Sequence, residues 1–426
     1  MVAWRTGDLP AMKPTRTRFI VLAGICAGAA LAYFTRNGVG PAESTIRAEL
    51  GITKEQSGML MSSFFWPYAL CQIPAAMLAQ RLGSRWSLSL YGVLWSLATA
   101  CLAWGNLAVM TGARAFMGMA QAGLVPVGTT VMARWFPRTA QASASGAFSG
   151  FMSVGSIIAA PLTAWLVVSI GWRWMFVWYA VPGVLWAAWF AVWYRNRPAE
   201  HPAVNAAERA QIEQDAPPEP AETPRVPWEL LLRSPALWCL CIQQFCRAAG
   251  YIFFASWFAT YLQEARGVTI LGSGWLTTLP LLADVTGCMA GGLLSDVLLR
   301  RTGSQRLARQ GLTATALLLC AGLIFCAWFV ANPVIAVLVI SAGMFCAATA
   351  NPCLGATVMN IGGPHVATLS ATTNMCGNLG AAAFPILVPW LLANAGGWNA
   401  VLAGFGALYI IAAVFWLLIR NESVSH

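Results

Sequence analysis

The chain has 426 residues, 58% of them hydrophobic and only 9% charged, with a mean hydropathy of +0.64. Soluble domains are about a quarter charged, so this composition excludes an ordinary soluble enzyme or regulatory domain and leaves a membrane protein. A formal charge of +10 would suggest nucleic acid in a soluble chain, but here the basic residues lie in polar hinges beside apolar runs, where they set orientation.

Residues 1–18 are polar and basic and predict a cytoplasmic tail. The apolar run that begins at Phe19 carries no small-residue cleavage site, so it is expected to remain as a first span rather than act as a removable signal. A bilayer crossing needs roughly 20 apolar residues. Runs of that kind lie at 19–38, 57–80, 86–106, 108–131, 141–168 and 173–194, then at 236–262, 271–298, 310–330, 333–356, 366–393 and 397–419. Between the sixth and seventh, 195–235 is rich in Pro, Ala and Glu and cannot bury a core, so it reads as an extended cytoplasmic linker with one short surface helix near 205–214. The expected divisions are a tail at 1–18, a six-helix bundle at 19–194, the linker at 195–235, a second six-helix bundle at 236–420 and a tail at 421–426. The fold class is an all-α membrane protein whose twelve transmembrane helices form two pseudo-symmetric six-helix bundles.

Of the 25 Lys and Arg, 18 fall in the tails and loops on the side of both termini and four, Arg47, Lys54, Arg173 and Arg266, on the other. That asymmetry places both termini and the linker in the cytoplasm. All 12 cysteines fall within apolar runs, which predicts small reduced hydrophobes rather than disulfides or metal ligands. Neither a metal nor another cofactor is expected, and no loop gathers His, Ser and carboxylates in a catalytic arrangement.

The remaining three basic residues, Arg36, Arg114 and Arg247, lie inside apolar runs. A charge at depth costs at least about 2.5–3.5 kcal/mol and so faces a protein interior or a watery pathway. The one clear carboxylate in the spans is Asp284, which leaves the interior net positive.

Span eight closes with Gly291-Gly292-Leu-Leu-Ser-Asp296-Val-Leu-Leu-Arg300-Arg301, and span two with Ala79-Gln80-Arg81-Leu-Gly83-Ser-Arg85. The echo between halves predicts an internal six-span repeat, the organisation of rocking transporters. These segments resemble the loop signature of the major facilitator superfamily, although Gln80 stands where that family has Asp. Four further stretches resemble its anion:cation symporter branch, which includes sugar-acid carriers, sialin and vesicular glutamate transporters. They are Ser63 to Pro74, Arg114 to Gln121, Phe245 to Tyr251 with Trp257 and Tyr261, and Asn374 to Gly380.

The resemblance implies a secondary transporter of a small organic anion at the cytoplasmic membrane, monomeric and in contact with lipid. By family position, Arg36 and Arg247 would bind the substrate carboxylate, which suits guanidinium chemistry because it can give two parallel hydrogen bonds. Tyr33, Tyr68, Gln121, Tyr251 and Asn374 complete the expected substrate contacts. Arg114, Asp284, Asp296, Arg81 and Arg85 are the expected coupling or gating residues. The branch's proton-handling positions hold Thr35, Met61 and Gln121 here, and none of these titrates near neutrality. Proton symport through Asp284, uniport and anion exchange therefore all stay open, as does a membrane sensor that binds acids without moving them.

Overall fold

The computed structural model of the protein describes residues 13–213, 233–362 and 366–419, and among them every regular element is helical. Residues 1–12, 363–365 and 420–426, and the 214–232 stretch that holds much of the expected extended linker, lie outside the described residues.

Among the described residues, eleven helices are long and apolar enough to cross a bilayer, from Thr17–Leu50 to Trp398–Leu418. The remaining crossing is the second, which the sequence presents as one run at 57–80. It is built instead from Lys54–Ser62, Phe65–Leu70 and the start of Gln72–Cys101. Proline accounts for the breaks, because Pro67 and Pro74 have no N–H to give to the carbonyls four residues back. Thr53 opens the segment with a capping box: its hydroxyl accepts from the Gln56 N–H at 3.3 Å, and the Gln56 side chain accepts from the Thr53 N–H at 2.9 Å. The helix Gln72–Cys101 turns back at Gly83, whose φ of +76° favours glycine and whose backbone lies against Asn196. Across that hairpin the Tyr91 hydroxyl donates to the Ala75 carbonyl at 2.7 Å, so the second and third crossings run antiparallel.

The first crossing is also longer than the sequence suggests. The sequence ends the first run at 38, but Thr17–Asn37 continues through a right-handed Gly38 into Val39–Leu50. Pro41 falls in the first turn of that continuation, where a missing N–H is tolerated. Arg36 is therefore in mid-span rather than near an end.

Neighbour relations repeat between the halves. The first crossing packs on the fifth as the seventh packs on the eleventh; the second on the fourth as the eighth on the tenth; the third on the sixth as the ninth on the twelfth. The two bundles meet where the second crossing lies on the eleventh and the fifth on the eighth. Large apolar side chains such as Leu185, Val192, Phe329 and Leu418 point outward, as a lipid-facing surface requires. Trp172, at the start of the sixth crossing, is by contrast buried and donates to Glu49.

The short helix expected near 205–214 spans Ala206–Glu213, yet it is not simply a surface element. Glu208 is fully buried and accepts from the N–H groups of Thr17 and Arg18, at 3.2 and 3.0 Å, and from the Thr15 hydroxyl at 2.5 Å. Those backbone donors open the first spanning helix, whose own first turn holds no acid. A carboxylate supplied by the linker thus satisfies groups that a helix start leaves unpaired.

Candidate functional site

Helical spacing brings three polar faces to the boundary between the bundles. The first crossing presents Tyr33, Arg36 and Asn37; the seventh, Gln244, Arg247, Ala248 and Tyr251; the eleventh, Asn374, Gly377, Asn378 and Ala381. With Phe65 and Ile252 they enclose one cavity of about 170 Å³. Two arginines from opposite halves of the chain thus share one space.

Arg36 is 8% exposed, and neutral groups hold it. Its Nε and Nη2 both donate to Gln121 Oε1, each at 3.3 Å. Gln121 Nε2 in turn donates to the Ala32 carbonyl at 3.1 Å and to Thr35 Oγ1 at 3.3 Å. The rings of Tyr33, Phe64 and Tyr68 lie 4.1, 4.6 and 4.8 Å from the guanidinium carbon, a geometry in which π faces stabilise a cation. Arg114 stands behind. Its Nη1 donates to the Arg36 carbonyl at 2.8 Å and its Nη2 to the Met61 carbonyl at 3.4 Å, which ties the fourth crossing to the first and second.

On the other side of the cavity, Arg247 Nε donates to Gln244 Oε1 at 3.1 Å. Asp284 and Arg247 lie within electrostatic reach of one another and of Tyr251. Among the described residues, no carboxylate comes within ion-pairing distance of Arg36, Arg114 or Arg247.

Not every expected residue lines this space. Tyr33, Arg36, Arg247, Tyr251 and Asn374 do. Tyr68 and Gln121 do not: each is buried against Arg36, so each sets the guanidinium rather than facing the cavity. Asp284 sits beside the seventh crossing, outside the lining. Asp296 and Arg81 are exposed, and neither forms an ion pair among the described residues. Arg85 holds the end of the sixth crossing, with its Nε donating to the Ala191 carbonyl at 2.6 Å and its N–H accepted by Asn196 Oδ1 at 2.9 Å.

Sequence reasoning passed over Asn37, Phe64 and Phe65, which lie beside residues it singled out, and it missed Glu43 altogether. Glu43 is 2% exposed. It accepts from Arg47 Nε at 2.8 Å and, across the boundary between the bundles, from the Thr260 hydroxyl at 2.7 Å. Next to it Arg47 and Lys54 pair with Glu264 at 2.6 and 2.7 Å, Trp398 Nε1 donates to the same carboxylate at 3.1 Å, and the Ser44 hydroxyl donates to Gln263 at 2.5 Å. These contacts close the end of the bundle remote from the linker. Gly40 sits there against the Ala255 carbonyl, an approach that leaves no room for a Cβ.

Twelve crossings among the described residues, repeated neighbour relations and a polar cavity where the halves meet define a two-bundle transporter fold. The Major Facilitator Superfamily profile matches residues 25–385, and the chain belongs to that family. It is 28% identical to a probable sulfoacetate transporter of Cupriavidus necator, over 95% of this chain and 94% of that one. It is 30% identical to a probable galactarate/D-glucarate transporter of Bacillus subtilis, over 96% and 93%. Among solved structures, it matches a bacterial homologue of the human lysosomal transporter Spinster, in an inward-facing and unoccupied conformation, with a TM-score of 0.78 at 18% identity, covering 97% of this chain and 98% of that one. The last likeness concerns the fold alone.

Proposed function

We propose that this protein carries a small organic anion, a sugar acid or related carboxylate, across the cytoplasmic membrane by alternating access, with both termini and the linker on the cytoplasmic side. The observation that carries the reading is the cavity shared by Arg36 and Arg247, each bonded to an amide oxygen rather than to a carboxylate. Charged donors held by neutral acceptors keep capacity for an incoming anion, and a carboxylate can take two of them in parallel. The named activities of the Cupriavidus necator and Bacillus subtilis relatives, both organic-anion transport, support the same reading. No catalytic step and no cofactor enter it.

The cycle follows from the two-bundle geometry. The contacts around Glu43 and Glu264 hold the end remote from the linker shut, and a rocking motion that breaks them would expose the site there. Tyr33, Tyr251 and Asn374 would read the substrate's hydroxyls, while Arg114 and Gln121 would keep Arg36 in place. Asp284, beside Arg247, is the acid best located to couple protons; its neutralisation by Arg247 alone would leave a uniporter or exchanger.

The test is uptake of labelled organic acids into proteoliposomes, with and without a pH gradient, in the wild type, Arg247→Ala and Asp284→Asn. Uptake by the wild type that is lost in Arg247→Ala is expected. Accumulation that needs the gradient and fails in Asp284→Asn assigns symport to that acid. Uptake that only equilibrates and survives Asp284→Asn assigns uniport or exchange, and binding without uptake of any acid would turn the reading into that of a sensor.

A further inference from the structure

We infer that the carried anion is a compact dianion, with one acidic group at each end, taken respectively by Arg36 and Arg247. This rests on the transport reading above and narrows it from anions in general to one charge class.

The charged side chains of the described residues around the cavity are Arg36, Arg114, Arg247 and Asp284. Three guanidinium charges against one carboxylate leave an excess of two. Elsewhere in the described chain some arginines meet acids, as Arg47 does with Glu43 and Glu264, and others, such as Arg85 and Arg266, donate to backbone carbonyls near the ends of the crossings rather than beside the cavity. The side-chain hydrogen-bond partners of Arg36 and Arg247 are Gln121, behind the cavity, and Gln244, in its wall, which align a guanidinium without cancelling its charge. Thr35, next to Arg36, is neutral as well and turns its hydroxyl to the backbone of its own helix. Uncompensated charges at depth are costly, and the ligand is the component that removes the cost. A monoanion relieves half of the excess. A dianion relieves all of it and joins the two bundles through charge-assisted bonds at both ends.

Size sets the second limit. The cavity volume of about 170 Å³ is near the ~150 Å³ that receives a benzene-sized guest, which suits a chain of a few carbons between the acidic groups. Asn374, Asn378 and Tyr251 line the middle and supply hydrogen bonds to hydroxyls on that chain.

The experiment compares pairs matched in carbon skeleton in which one member has lost one of the two acidic groups, using purified full-length protein. The probes are glutarate with its monomethyl ester, succinate with its monomethyl ester, and glucarate with gluconate, each measured by binding calorimetry and by competition with uptake. Each diacid is expected to bind about tenfold or more tighter than its monoacid partner, the worth of one charged hydrogen-bonded contact. Arg36→Gln and Arg247→Gln should each shrink that gap to near unity, because one end of the diacid then has no partner. Equal affinity for diacid and monoacid in the wild type overturns the inference while leaving anion transport standing. Failure of every probe to bind or be taken up overturns both.

Discussion

One amide oxygen, Gln121 Oε1, receives both Nε and Nη2 of Arg36. Because Gln121 is itself anchored to the Ala32 carbonyl and Thr35 by its Nε2, it fixes the plane of the guanidinium without answering its charge. Gln121→Glu keeps the shape and adds a carboxylate at that oxygen. The resulting internal ion pair should compete with substrate, weakening anion binding about 10- to 100-fold at neutral pH. Calorimetric titration of the variant against the wild type checks this; unchanged affinity would show that Gln121 does not govern the charge available to substrate.

A second expectation concerns the closed end. Glu264 joins Arg47 and Lys54 of the first half, and all three are partly exposed. Each such pair is worth about 0.2–1 kcal/mol, so Glu264→Gln should shift the balance toward opening on that side several-fold. Gly40→Ala should act in the same direction by pressing a methyl group on the Ala255 carbonyl. Spin-label distances across that end of the bundle should lengthen in both variants.

The linker offers a third. Removing the buried carboxylate in Glu208→Ala leaves the Thr17 and Arg18 N–H groups without their acceptor, at a cost of about 1–3 kcal/mol. Amide hydrogen exchange should accelerate in the first turn of the first span, and Glu208→Gln should recover part of the protection.

His201 gives a pH dependence. It packs against Trp193 and Trp135, with ring centroids at 4.6 and 5.8 Å, and its Nδ1 accepts from the Ala203 N–H at 3.2 Å. Burial first, then the nearby Arg195 charge, lowers its pKa below the ordinary histidine value. The unfolded chain therefore binds a proton at a higher pH than the folded one. The stability that neutral His201 contributes is complete above about pH 6.5 and is lost as pH falls through the lowered folded-state pKa. Thermal unfolding in detergent should show that slope, and His201→Gln, which does not titrate, should flatten it.

Much of this architecture was readable in the chain, for a physical reason. Bilayer length imposes a period that composition reveals, and Arg36 and Arg247 stand out because a charge inside an apolar run is expensive. Glu43 stayed hidden for the opposite reason. The apolar run ends at 38, and an acid beyond the end of such a run looks solvated; only the continuation of the helix to Leu50 carries it into the boundary between the bundles. Gln121 illustrates another limit, since an amide's spacing on its helix does not disclose whether it meets substrate or a neighbouring arginine. Glu208 lies in a stretch too polar to form a core, and its role depends on a partner about 190 residues away.

The neutral surroundings of Arg36 also bear on how a membrane potential would act on the cycle. Each elementary charge that crosses the full membrane potential is worth about 2.3 kcal/mol per 100 mV, and a rocking cavity moves its charges through some fraction of that field. An unloaded site with two positive charges in excess is drawn toward the negative face, whereas a site filled by a dianion is electrically silent. In a cell with a negative interior, the empty carrier would then rest open to the cytoplasm, and the return of the empty carrier outward, rather than the passage of substrate, would be the step that the membrane potential controls.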